Sequence, residues 1–330
     1  MGDAMPIQTD EGQTKSDRRG EALSLELIPS RSVFATGQRL SGVVLLRLER
    51  PVNIRHLSVS VEGRETASRR AVSGALRGST LFFSREIRLI GAQRPRLTSE
   101  RVARFWNAFL GRDTGRKLSA GEHIYPFSIP LPASLPPTYH GRAGEIEYTV
   151  YARLKPVGRR AVCTACRAAL VSLPRAGRAQ PVALSYPTAG GNVHTASVSA
   201  DLRLPDRTVV LGGKIAGQLS VANPERTPIS RVRVLLECCE WLQRGSRKEI
   251  YRRVVDQWVH EVGDPAPPHI EAGFELAAPR DAPPTVEGIA VAVIWLLKLR
   301  IECDPPIELK TPIAAYEPVC EPRPDRPEQG

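Results

Sequence analysis

The chain has 330 residues, enough for two domains that each bury a core of their own, and 46 Lys and Arg against 35 Asp and Glu give a formal charge of +11. Leu and Val dominate the apolar residues, Pro and Gly number 29 and 26, and helical periodicity is scarce, so the composition favours a β protein with many turns. The longest uncharged apolar run, 289–297, is too short to span a bilayer, and the first 20 residues lack an apolar signal-peptide core, so the expectation is a soluble, cytoplasmic protein, at most peripheral to a membrane.

Residues 1–20 are polar and aperiodic and read as a disordered tail. The stretches LSLELIP and SVF then read as short strands, Gly37 marks a turn, and Leu40, Val44 and Leu46 share a face of the next strand, which Gly42 interrupts. From His56 to Gly63, Leu57, Val59 and Val61 alternate with Ser58, Ser60 and Glu62, the pattern of a half-buried antiparallel strand.

This opening occurs twice. Residues 24–65 and 199–240 align without a gap and keep Gly37 with Gly212, Gly42 with Gly217, Ile54 with Ile229, Val59 with Val234, Glu62 with Glu237 and Glu65 with Glu240. A second match sets Phe127, Ile129, Pro132, Pro136, Pro137 and Thr138 against Phe274, Leu276, Pro279, Pro283, Pro284 and Thr285. The chain is a duplicated unit, and function belongs where the copies differ.

They differ after Glu65, where the offset between copies falls from 175 to 147, so the first copy carries 28 extra residues. Thirteen basic residues face four acidic ones between Arg64 and Lys117, most of the chain's excess charge, in a segment suited to anionic lipid, phosphoprotein or nucleic acid. Residues 66–80 read as an exposed Arg-bearing loop and 81–90 as a strand. Thr98 or Ser99 can cap a helix through Leu110, with Val102, Phe105, Trp106 and Phe109 on one side. That helix reads as a cover on a sheet, with an amphipathic membrane-surface helix as the alternative.

A strand, a proline-rich corner containing PPTY at 136–139, and a strand with Ile146, Tyr148 and Val150 on one face follow. The echo of this corner in the second copy marks it as structural, not as a WW-domain ligand. The organisation expected is a tail at 1–20, a first domain at 21–173, a linker at 174–192, a second domain at 193–317 and a disordered tail at 318–330. In the second domain, Val255, Gln257 and Val259 alternate against Val254, Asp256 and Trp258.

No phosphate-cradling glycine loop, GxSxG elbow or HExxH is present, and the six histidines lack ligand spacing. Cys163 and Cys166 have the spacing of half a zinc knuckle without a second pair, which favours reduced thiols over a metal site. Glu145 and Glu147 share a strand face, as an acid–base pair would, but alternate with Ile146 and Tyr148 in the manner of solvated charge. No catalytic residue, cofactor or metal is expected.

Two β units in tandem, with residues 35–44 (ATGQRLSGVV), 54–65 (IRHLSVSVEGRE), 118–139 and 144–154 (GEIEYTVYARL) in the first and 209–237, 274–285 (FELAAPRDAPPT) and 291–301 (VAVIWLLKLRI) in the second, resemble the arrestin family. The resemblance covers about residues 23–313 and lies closer to the α-arrestin or prokaryotic arrestin-like branch than to visual or β-arrestins. It implies an all-β chain of two tandem immunoglobulin-like β-sandwiches with one short amphipathic helix in the first, acting as a non-catalytic adaptor or scaffold for a protein partner, often a membrane protein, in trafficking or signalling. It sets residues 66–80 where arrestins carry a receptor-probing finger loop, and Arg167 near their phosphate-sensing arginine. The loop from Asp281 to Gly288 is short for a supplier of that arginine's acidic partners, which argues against a phosphate-triggered switch.

The expected partner- or anion-binding residues are Arg64, Arg69, Arg70 and Arg77, with Arg167 as a phosphate-sensor-like position. Anionic lipid or phosphate groups are the expected contacts. A self-assembling structural protein pairing through strand edges, or a sporulation-control-like or retromer-subunit-like role, is the alternative, and nucleic acid is not an expected partner.

Overall fold

The computed structural model describes residues 23–67, 79–91, 115–172, 181–186, 198–244 and 247–318. In chain order the strands are β1 (Leu23–Pro29), β2 (Val33–Ala35), β3 (Arg39–Leu48), β4 (Val52–Ala67), β5 (Ser79–Ile90), β6 (Arg116–Leu118), β7 (Gly121–Pro130), β8 (Tyr139–His140), β9 (Gly144–Pro156) and β10 (Val162–Val171). They continue as β11 (Val182–Tyr186), β12 (Ser199–Leu204), β13 (Thr208–Val210), β14 (Lys214–Ala222), β15 (Arg231–Arg244), β16 (Arg247–Glu261), β17 (His269–Ala277), β18 (Val286–Glu287), β19 (Val291–Glu302) and β20 (Ile307–Tyr316). The described residues are all-β; the helix expected at 99–110 lies outside them.

The duplication is visible strand by strand. A three-stranded sheet β1-β3-β7 and a larger one β2-β10-β9-β4-β5 are answered by β12-β14-β17, extended by β11, and by β13-β20-β19-β15-β16. Small strands are added in matching places, β8 on β9 and β18 on β19, while β6 on β4 belongs to the first copy. Strand β11 falls within the stretch expected as linker and pairs with β12 from Val182↔Leu204 to Tyr186↔Ala200.

Period-2 alternation explains the cores. In β19 the residues Val291, Val293, Trp295, Leu297, Leu299 and Ile301 are fully buried and their neighbours are not, and Ile146, Tyr148, Val150, Ala152 and Leu154 do the same in β9. Trp295 occupies the place of Tyr148 and donates its indole N–H to the carbonyl of Pro283 at 3.0 Å, so its polar atom is not stranded. Ser58 and Ser60, expected on a solvated face, are buried, since β4 is an inner strand flanked by β9 and β5.

The matched glycines have matched causes. Gly37 and Gly212 adopt φ of +81° and +87°, the left-handed region that side chains avoid. Gly42 pairs with Phe127 and Gly217 with Phe274 across the sheet, and a methyl group at Gly42 would lie 2.8 Å from the Phe127 ring. Each phenyl ring lies over a glycine because only a glycine leaves it room.

By compactness the chain divides into two units. One draws on Met1–Arg64, Leu81–Leu135 and Glu147–Leu170; the other draws on Glu65–Thr80, Pro136–Ile146 and Val171–Gly330. The second unit therefore includes two short segments, one starting at Glu65 and one holding Tyr139, that belong by repeat to the first copy.

Candidate functional site

Within the second unit the end of β4 delivers an acidic side chain into the core. Leu57, Val59, Val61, Gly63 and Glu65 all point to the inner face of β4, and Glu65 is 2% exposed. Its carboxylate accepts three backbone N–H groups: Ile289 at 3.0 Å, Ala290 at 3.0 Å and Val291 at 2.5 Å. An ionised carboxylate needs such donors to be tolerated away from water, and three charge-assisted bonds supply them.

The counterpart Glu240, on β15, does the same with the other copy's turn. Its Oε2 accepts the Tyr139 hydroxyl, the Arg142 N–H at 2.7 Å and the Ala143 N–H at 3.5 Å. The two turns are also equivalent. Gly141 N–H donates to Gly144 O at 2.9 Å and Gly288 N–H to Val291 O at 2.9 Å, and the glutamate of the other copy lies over each leading glycine. A methyl at Gly288 would sit 2.6 Å from Glu65 Oε1, and one at Gly141 would be 2.5 Å from Glu240 Oε2. Tyr139 is 2% exposed, so the PPTY motif is unavailable as a ligand, and burial, reinforced by the bond to Glu240, raises its phenol far above the ordinary range.

The first unit presents a basic face. Arg64, near the end of β4, is exposed and holds Glu62 Oε2 at 3.0 Å, while Arg153 on β9 lies 4.0 Å from Glu62 Oε1 and 5.5 Å from the centre of the Tyr151 ring. Arg167, on β10, pairs with Glu147 at 3.0 Å and has 78% of its side chain exposed. Strands β10, β9 and β4 are neighbours, and the register Cys163↔Arg153 and Arg167↔Thr149 sets the three arginines on one outward face. The arginine side of each pair is open to solvent, where it can also meet an anionic ligand.

Of the expected site residues, the structure thus brings Arg64 and Arg167 onto one face and adds Arg153, which sequence reasoning missed although its place on the polar face of β9 was readable. Arg69, Arg70 and Arg77 lie outside the described residues. The described thiols, Cys163, Cys166, Cys238, Cys239 and Cys303, are free; burial pushes Cys166 up to about 11 and Cys238 up to about 12. Among the described residues no helix is long and apolar enough to cross a membrane.

Tandem β-sandwich units of matching topology are consistent with the arrestin fold. Residues 24–170 match the family model "Arrestin (or S-antigen), N-terminal domain". The chain is 29% identical to Arrestin domain-containing protein 1 of Mus musculus over 136 residues, covering 41% of this chain and 26% of that protein. It is 30% identical to Arrestin domain-containing protein 17 of Caenorhabditis elegans over 125 residues, 37% of this chain and 27% of that one. With Arrestin domain-containing protein 4 of Mus musculus it shares 27% over 144 residues, 42% and 32% respectively. The chain resembles the arrestin family, on its α-arrestin-like side, and aligns with about a quarter to a third of these relatives' own length.

Proposed function

We propose that the protein is a non-catalytic arrestin-like adaptor that binds an acidic or phosphorylated segment of a protein partner at a membrane surface, in trafficking or signalling. The observation that carries this reading is the outward face of β4, β9 and β10, where Arg64, Arg153 and Arg167 stand with two carboxylates, Glu62 and Glu147, between them. A guanidinium fork matches carboxylate and phosphate oxygens with two parallel bonds, and a ligand carrying several charges competes with single glutamates for the exposed arginines. Arg69, Arg70 and Arg77, on the adjoining stretch 66–80, extend the same chemistry in sequence.

Fluorescence anisotropy with a labelled peptide bearing two phosphoserines tests it. The native chain binds the peptide more tightly than its unphosphorylated form, and reversing Arg64, Arg153 and Arg167 to Glu weakens binding by about tenfold or more. Equal affinity of native and reversed chains would remove this face from the function.

A further inference from the structure

Strand β16 ends the larger sheet of the second unit: among the described residues it is paired with β15 on one side only. It is 15 residues long, contains no proline, and exposes Ile250, Val254 and Val259 at 38%, 48% and 39%. Such an edge is a template for another strand, and the charges it carries restrict which strand can pair with it. We propose that β16 is a homotypic interface, at which two copies of this chain pair their β16 strands antiparallel about the point between Val254 and Val255.

The argument is self-complementarity. About that midpoint Lys248 meets the partner's Glu261, Glu249 meets the partner's His260, Ile250 meets the partner's Val259, Tyr251 meets the partner's Trp258, and Arg253 meets the partner's Asp256. In these five pairs charged or polar groups meet complementary ones, apolar meets apolar and aromatic meets aromatic, with Arg252 against the partner's Gln257 as a polar match, and each pair occurs twice by the symmetry of an isologous contact. Folding strand β5, at the corresponding end of the first copy's sheet, about its centre sets Leu81 against Arg88 and Phe83 against Glu86.

A register irregularity makes the pairing possible. Opposed residues of an antiparallel pair lie on the same face, yet a midpoint between two residues matches odd positions with even ones, which ordinarily lie on opposite faces. Against β15, Leu236 faces Asp256 and Glu237 faces Val254, so Val255 is an extra residue and the alternation shifts there. As a result Ile250, Arg252 and Val254 share a face with Gln257, Val259 and Glu261, all registered with odd-numbered residues of β15. Lys248 lies on the same face, its Nζ 3.5 Å from the centre of the Trp241 ring. The bulge therefore lets two such sheets join into one with continuous faces. Asp256 already accepts the N–H groups of Gln257 at 2.8 Å and Ala277 at 2.6 Å, so it is held in place for the partner's Arg253.

Sedimentation velocity across a concentration series tests the proposal with the full chain. The native protein dimerises below about 100 µM, Lys248→Glu and Glu261→Lys each raise the dissociation constant by about tenfold, and the double variant, which exchanges the charges, restores dimerisation. Circular dichroism melts confirm that each variant is folded, and the rescue distinguishes a lost contact from a damaged strand. A native chain that stays monomeric throughout the series, or a dimer indifferent to both single reversals, overturns the proposal.

Discussion

Glu65 and Glu240 hold the same position in the two copies of the repeat, and each closes the glycine-led turn of the other copy: Glu65 caps Ile289, Ala290 and Val291, and Glu240 caps Arg142, Ala143 and the hydroxyl of Tyr139. The duplication thus preserved a reciprocal contact as well as a pair of folds. Both halves of it lie within the second unit.

Removing the Glu65 carboxylate leaves three backbone donors without their acceptor, of which the Val291 N–H is buried while those of Ile289 and Ala290 are only partly so. A buried unsatisfied donor costs about 1–3 kcal/mol, so Glu65→Ala lowers unfolding stability by about that amount, and Glu65→Gln, which keeps one acceptor oxygen, loses less. Urea unfolding followed by tryptophan fluorescence reads both. A loss under 1 kcal/mol for the alanine variant contradicts the cap.

Gly288→Ala pushes a methyl group against Glu65 Oε1 and the Val291 carbonyl, and Gly141→Ala pushes one against the Tyr139 hydroxyl and Glu240 Oε2. Each costs about 1–3 kcal/mol in the same assay. For Gly288→Ala the cost shrinks when Glu65 is already alanine, because one of its two close approaches, that to Glu65 Oε1, is gone while that to the Val291 carbonyl remains. Additive losses in that double-mutant cycle argue against the close approach.

Tyr139 links stability to alkaline pH. Burial first, and the bond to Glu240 second, keep its phenol protonated in the folded chain well beyond the pH of about 10 at which an unfolded tyrosine ionises. The contribution is full below that pH and declines as pH rises above it, because the unfolded chain then releases a proton the folded chain retains. Tyr139→Phe loses about 1–2 kcal/mol at pH 7 and shows a shallower fall in stability between pH 9 and pH 11. Unfolding midpoints across that range measure the difference in slope.

Thiol reactivity separates the cysteines. Cys163 is exposed, whereas burial raises Cys166 to about 11 and Cys238 to about 12. Among the described thiols, brief alkylation at pH 8 with peptide mapping labels Cys163 before Cys166 and leaves Cys238 unmodified until the chain is unfolded.

Much of the scaffold was readable because its constraints are local. Gly37 and Gly212 stand out in an ungapped alignment since both turns need positive φ, and Gly42 and Phe127 recur as Gly217 and Phe274 since each ring needs its glycine. The carboxylate contact was harder to read. Glu65 and Glu240 align, but their partners lie 224 to 226 and 97 to 101 residues away, and no spacing rule links them. One signal was present: Glu65 continues the buried parity of Leu57, Val59 and Val61, where a carboxylate is out of place without donors. The expected alternation of Val255 with Gln257 and Val259 fails because the extra residue at Val255 returns Val254 to their face, and a bulge leaves little trace in a run of two valines.

The adaptor reading is tested most directly by affinity capture from the protein's own host, comparing the native chain with one in which Arg64, Arg153 and Arg167 are reversed to Glu. The account predicts enrichment of a membrane protein with an acidic or phosphorylated segment by the native chain, sensitive to phosphatase and lost with the reversed one. The same protein captured equally by both chains would contradict it.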